Sequence, residues 1–150
     1  MKKLIKISTL IVLTMICMAS SCDDKSNEHK YFTIVNKSSM NIRCQMILQG
    51  IITPADTIYQ CNNIPFLISA DSLYLNKSPG HNRGGWETTF GEVPYLQLLI
   101  MNDSIYRYYS RTYNFNCDTI RKYVPILHRY QLKLEDLQRM NWIVVYPPEE

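Results

Sequence analysis

The chain has 150 residues, 46% of them hydrophobic and 19% charged, which excludes disordered, collagen-like and coiled-coil classes. Five glycines leave no room for a Gly-rich phosphate cradle. The formal charge of +3 comes from Lys2, Lys3 and Lys6. Removing these three from the 16 Lys+Arg leaves 13 against 13 Asp+Glu from residue 22 onward, so a basic nucleic-acid binder is excluded.

The N-terminus has the layout of an export signal. Lys2, Lys3 and Lys6 precede the apolar run Ile7–Ala19, then Ser20-Ser21 and Cys22. About 13 apolar residues are too few for a comfortable membrane span of about 20 and match the core of a secretory signal. The small residues and following cysteine resemble a bacterial lipobox, with Ala19 standing where Leu is usual. The resemblance implies cleavage after residue 21 and a diacylglycerol thioether on Cys22. Cys17 is a weaker acceptor because bulky Met15-Ile16 precede it. The alternatives are an uncleaved signal anchor and an ordinary signal peptide.

Residues 1–21 are therefore expected to be the signal, 22–30 the lipidated cysteine with its tether, and 31–150 a single domain. Asp23–Lys30 contains no apolar residue and reads as a flexible tether. Its acidic pair, Asp23-Asp24, resembles the surface-export signal of Bacteroidetes lipoproteins. The expected location is the outer membrane, on its periplasmic face or at the cell surface.

From Tyr31 the chain alternates. Phe32 and Ile34, then Ile42, Cys44, Met46 and Leu48, recur at period two around the turn Asn36–Ser39, which predicts two strands. Further strands are expected at Thr57–Tyr59, Phe66–Ile68, Leu73–Leu75, Glu87–Phe90, Tyr95–Met101 and Ser104–Tyr109. Tyr95–Met101 is the most apolar run and the expected central strand. Two short helices follow. Asp118 or Thr119 can cap Ile120–Tyr123, which Pro125 stops, and Leu134, Leu137 and Met140 share one helical face. Trp142–Tyr146 reads as a last strand. This pattern predicts a mostly β fold, an antiparallel β-sandwich of Ig-like or transthyretin-like kind, with two short helices near the C-terminus.

Both ends carry a resemblance. The opening Phe32-Thr-Ile-Val-Asn36-Lys-Ser38 and the tail Ile120–Tyr123, Ile126–Tyr130, Leu132–Gln138, Asn141-Trp142 are similar to a family of small Bacteroides lipoproteins. The likeness is thin between about Gln49 and Glu92, and Lys133 stands where Ser or Thr is common. It implies compartment and broad build, and it brings no activity and no catalytic residue.

With Cys22 lipidated, Cys44, Cys61 and Cys117 remain, enough for one disulfide and one spare thiol in an oxidising compartment. A Cys44–Cys61 bridge is weighed against Cys44 as a small buried hydrophobe on its strand's apolar face. No C-x-x-C or H-x-x-x-H pattern points to zinc, and His29, His81 and His128 are scattered. No metal or other cofactor is expected. The loop Lys77–Glu87 is Gly-rich and carries His81, Arg83 and Trp86, which are able to stack on and hydrogen-bond a sugar. The opposing reading makes Trp86 a core plug at the start of a strand. Glu87 and Glu92 are imaginable as the carboxylate pair of a glycosidase, against a reading as surface residues. Tyr106–Tyr113 interleaves aromatic and basic residues, expected as a half-exposed strand pair; nucleic acid is excluded as its partner by the export signal. Esterase and nucleotide-binding templates are absent from the sequence.

Four tripeptides join Asp, a hydroxyl residue and an aliphatic one: Asp56-Thr57-Ile58, Asp71-Ser72-Leu73, Asp103-Ser104-Ile105 and Asp118-Thr119-Ile120. They resemble the acceptor of the general O-glycosylation system of Bacteroidetes, which would modify Thr57, Ser72, Ser104 and Thr119. Turn and cap chemistry explains the same pattern without modification. Taken together, a lipid-anchored envelope protein is expected, held to the membrane by its anchor and working by binding an envelope protein or a glycan. A glycan module built on Trp86 and a small envelope hydrolase are the alternatives.

Overall fold

In a computed structural model, described at residues 28–49, 63–79, 84–112, 114 and 116–148, seven strands and four helices follow one another. The paired turns and period-two runs become β1 (Tyr31–Asn36), β2 (Ile42–Gln49), β3 (Phe66–Ile68) and β4 (Ser72–Lys77). α1 (Trp86–Glu92), β5 (Tyr95–Asn102), α2 (Asp103–Thr112) and α3 (Cys117–Tyr123) come next. β6 (Ile126–Leu132), α4 (Leu134–Arg139) and β7 (Ile143–Tyr146) complete the order. The expected strand at Thr57–Tyr59 lies outside the described residues.

The fold is a mostly β sandwich of two packed sheets, with 41% strand against 30% helix among the described residues. One sheet has the order β4-β1-β7 and the other β3-β2-β5-β6. All pairings are antiparallel except β1 with β7, which run parallel. Between the sheets sit Phe32, Ile34, Val144 and Tyr146 from one side and Ile42, Cys44, Ile68, Leu96, Leu98, Ile100 and Leu132 from the other. Trp86 of α1 and Leu137 of α4 close the ends of this core. β5 is interior to its sheet and buried on both faces from Leu96 to Met101. That is why its sequence is apolar on both faces, broken only by the buried Gln97, rather than an alternation.

Asn36 explains the F-x-I-x-N-x-S opening in physical terms. It is fully buried, donates to the carbonyls of Met40 and Ser69 at 2.8 and 2.9 Å, and accepts from the Ser38 amide and hydroxyl at 3.1 and 2.6 Å. One side chain thus ties the β1–β2 turn to the end of β3. α4 solves its missing cap differently. Lys133 has no acceptor to offer, and Asp136 reaches back instead to accept from the Lys133 amide at 2.9 Å.

Two expected strands are helices. Glu87–Phe90 belongs to α1, because Trp86, Thr89 and Phe90 meet the core at helical spacing and the Thr89 hydroxyl bonds back to the Gly85 carbonyl at 3.2 Å. Ser104–Tyr109 belongs to α2. Asn102 accepts from the Ile105 amide at 3.1 Å and starts the helix, which buries Asp103, Tyr106 and Ser110 at i, i+3 and i+7. β6 has no counterpart among the expected strands. It alternates Ile126, His128, Tyr130 and Leu132 toward the core, where histidine and tyrosine blur the apolar signal. None of the helices among the described residues is long and apolar enough to cross a membrane.

Candidate binding groove

The aromatic–basic stretch forms one wall of a groove. α2 lies over the second sheet, and its underside is bolted there by Asp103, which is 3% exposed. Its carboxylate accepts from Arg43 Nε at 2.7 Å, and Arg107 stands 3.8 Å from its other oxygen. Arg43 also donates to the Pro65 carbonyl at 3.1 Å and lies over the Tyr106 ring. This fixes the helix rotation, so Ser104, Arg107, Tyr108 and Arg111 project outward.

α3 forms the opposite wall. Asn116 caps it by accepting from the Thr119 amide at 3.1 Å, and Ile120 and Val124 pack on Met101 and Tyr106. Cys117 is disulfide-bonded, which adds a covalent hold on the first turn; its partner lies outside the described residues. Tyr109 of α2 stacks on Tyr123 of α3, centroids 5.2 Å apart and planes 12° from parallel. Tyr108 meets Tyr109 edge to face at 5.0 Å. The result is a groove of about 510 Å³ lined by Ser104, Ile105, Tyr108, Tyr109, Tyr123 and Pro125. A second groove of about 380 Å³ lies on the other side of Tyr108, lined by Ser104, Arg107, Arg111 and Thr112. Tyr108, 62% exposed, is the ridge between an aromatic trough and a cationic one.

Electrostatics favour an anion here. α2 and α3 carry Arg107, Arg111, Arg121 and Lys122 against Asp103 and Asp118, and Asp103 is already consumed by Arg43. Lys122 lies 5.1 Å from the Tyr123 ring centre, adding positive potential at the trough's end.

The loop singled out for sugar binding has another use. Trp86 is fully buried, edge-on to Phe32 at 4.9 Å, and has no face to offer a sugar. It is a core plug at a helix start. His81 and Arg83 lie outside the described residues. Gly85 is small because Glu28 and His29 pack against it, whereas a Cβ on Gly84 would crowd the Thr88 side chain at 2.9 Å. A Cβ on Gly85 would stand 2.5 Å from Glu28 Cβ and 2.8 Å from the His29 carbonyl oxygen. Glu28 accepts from the Gly85 amide and from Thr88 Oγ1, the latter at 2.7 Å. His29 accepts at its carbonyl from the Trp86 amide at 2.8 Å and stacks on Trp142 at 4.0 Å. Glu87 takes the His29 amide and ring nitrogen at 2.8 and 2.7 Å, so it is not free to pair with Glu92 as an acid/base couple. Glu28 and His29, within the stretch expected to be tether, therefore pack on the domain. A cavity of about 440 Å³ does lie by this loop, lined by Leu48, Pro79, Gly84, Thr88, Thr89, Glu92 and Val93.

The Cys44–Cys61 bridge is overturned. Cys44 is a free, fully buried thiol, and burial pushes its pKa far up. It packs in the apolar core between the two sheets as a small hydrophobe. Cys61, Cys22 and Thr57 lie outside the described residues. Among the described residues no cluster of His, Cys, Asp and Glu has metal-holding geometry. Of the hydroxyl acceptors, Ser72 donates to the Ser69 carbonyl at 2.7 Å, Thr119 is half-buried in the first turn of α3, and Ser104 is exposed on the groove rim. All three described motifs open an element, namely β4, α2 and α3.

No protein-family model, curated protein or solved structure matches this chain.

Proposed function

We propose that this is a lipid-anchored envelope protein that works by binding, with the ligand seated on the tyrosine groove between α2 and α3. The observation that carries the reading is Tyr108 standing exposed between a tyrosine-lined trough and the Arg107/Arg111 pair. Aromatic faces take up rings, and paired guanidinium groups take up carboxylate, sulfate or phosphate. The ligand class that joins both is an acidic saccharide. The Cys22 lipobox and the likeness to small Bacteroides lipoproteins support the anchored, outer-membrane setting.

Two experiments test the reading. Full-length protein in detergent is screened on an array of neutral and acidic glycans, then compared with Tyr108→Ala and Arg111→Ala. Acidic glycans should be retained, and each substitution should weaken binding about tenfold, roughly 1.4 kcal/mol. Binding that ignores both substitutions would remove the groove from consideration. For the anchor, Cys22→Ala should abolish labelling with a palmitate analogue and leave the precursor unprocessed. Labelling that persists, and vanishes instead with Cys17→Ala, would move the site.

A further inference from the structure

The outward face of the β4-β1-β7 sheet is apolar, although its inward face already supplies the core. Register places Leu73, Val35 and Val145 in one row across the three strands and Leu75, Thr33 and Ile143 in the next. Tyr31 and Lys77 stand side by side beyond them. Leu73 and Leu75 are 62% and 58% exposed, Tyr31 49% and Ile143 43%. Among these eight residues Lys77 is the only charged one. Alternate residues Phe32, Ile34 and Val144 are buried between the sheets, so β1 and β7 are apolar on both sides.

Strand spacing and rise give this face roughly 300 Å². That matches the largest patch on a typical monomer, which is often functional. It falls well short of the roughly 800 Å² per partner in a stable protein pair. A shallow apolar contact that needs no deep complementarity fits the size better.

The path of the chain says what lies opposite. Tyr31, the first residue of β1, is on this face, and Trp142, on which His29 stacks, directly precedes Ile143 of the same face. Glu28 is tied to α1 through Gly85 and Thr88. Only residues 23–27 separate Glu28 from Cys22, a reach of at most roughly 20 Å even when extended. A lipid on Cys22 therefore holds the domain close to the bilayer, at the end where this face begins.

We propose that the outward face of the β4-β1-β7 sheet rests on the phospholipid surface in which the anchor is embedded. Leu73, Leu75 and Ile143 meet the acyl border, the Tyr31 ring sits at headgroup level, and Lys77 reaches the phosphates. This rests on the lipid-anchor reading and adds a second, non-covalent contact to it. Such a contact also sets which way the tyrosine groove points.

The test uses full-length protein purified from its own membranes. Its intact mass first reports whether Cys22 carries lipid. The protein is then reconstituted into 3:1 phosphatidylethanolamine–phosphatidylglycerol vesicles doped with a lipid bearing a photoactivatable acyl chain. After irradiation, cross-links should fall on the peptides containing residues 31–35, 72–77 and 143–145. Leu73→Asp with Leu75→Asp should keep the lipid mass and the circular dichroism spectrum and lose these cross-links at least fivefold. Leu75→Ser, a milder change, should give a smaller loss in the same peptides. Lipidated protein with cross-links confined to residues 22–30, or spread equally over α2 and α3, overturns the docking alone. A mass without lipid overturns the anchor and the docking together.

Discussion

Replacing Gly85 by alanine separates Glu28 and His29 from the rest of the fold. Its φ of −93° and ψ of −162° are open to any residue, so the effect is steric and not conformational. The new methyl would meet Glu28 Cβ at 2.5 Å and the His29 carbonyl oxygen at 2.8 Å; backbone atoms cannot swing aside. Glu28 and His29 must leave together. They take with them five hydrogen bonds, to Gly85, Thr88, Trp86 and twice to Glu87, and the stack on Trp142. At about 1 kcal/mol per bond and about 1 for the stack, the gross loss is roughly 6 kcal/mol. Freeing the backbone and side chains of two residues returns roughly 4–5 kcal/mol. The net cost is about 1–2 kcal/mol, or a Tm lower by roughly 4–8 °C for a domain of this size. Gly91→Ala is the opposing control. It sits in the same helix with nothing within 4 Å of its Cβ, and should stabilise by about 0.5–1 kcal/mol. Thermal melts of both variants are read beside amide exchange at Trp86, whose N–H is held by the His29 carbonyl. An unchanged Tm and unchanged Trp86 protection in Gly85→Ala would refute the docking of Glu28 and His29.

Three further outcomes are expected. Asp103→Ala should cost about 2–3 kcal/mol in urea unfolding, since it strands the mostly buried Arg43 guanidinium and loosens α2; a change below about 0.5 kcal/mol would mean the helix is held otherwise. Burial, then the charges of Tyr146 and Cys44, push the Tyr130 phenol up to about 12 from its usual 10. The neutral phenol is thus favoured in the folded state, so this stability is complete below about pH 10 and is lost as pH rises toward 12. Tyr130→Phe should flatten that slope, and an identical slope in the variant would assign it to other groups. The Cys44 peptide should resist iodoacetamide at pH 8 in the native protein and react in urea, as a buried, protonated thiol must; native alkylation would contradict its placement.

Much of the sandwich was legible in the sequence because period-two alternation and turn residues are local signals. The pair around Asn36–Ser39, the short run Phe66–Ile68, the apolar run at Tyr95–Met101 and the final strand before Pro147-Pro148 all carry them. The helix stopped by Pro125 and the face of Leu134 and Leu137 carry equally local marks, although the cap is Asn116 and not Asp118 or Thr119. Glu87–Phe90 and Ser104–Tyr109 do not. Their β-branched and aromatic residues favour strand, and only the burial of Trp86 against Phe32 and of Asp103 against Arg43 makes helix win. The residues of the candidate groove follow the same division. The mixture of tyrosine and arginine was visible as composition, but its meaning depends on period. As a strand it would put Tyr108 on the face opposite Arg107 and Arg111, whereas as α2 it gathers all three on one side. The pairing of Tyr109 with Tyr123, fourteen positions apart, and of Glu28 with Gly85 has no local signal at all. Such contacts are decided by how elements pack, because the interaction exists only once both partners are brought together.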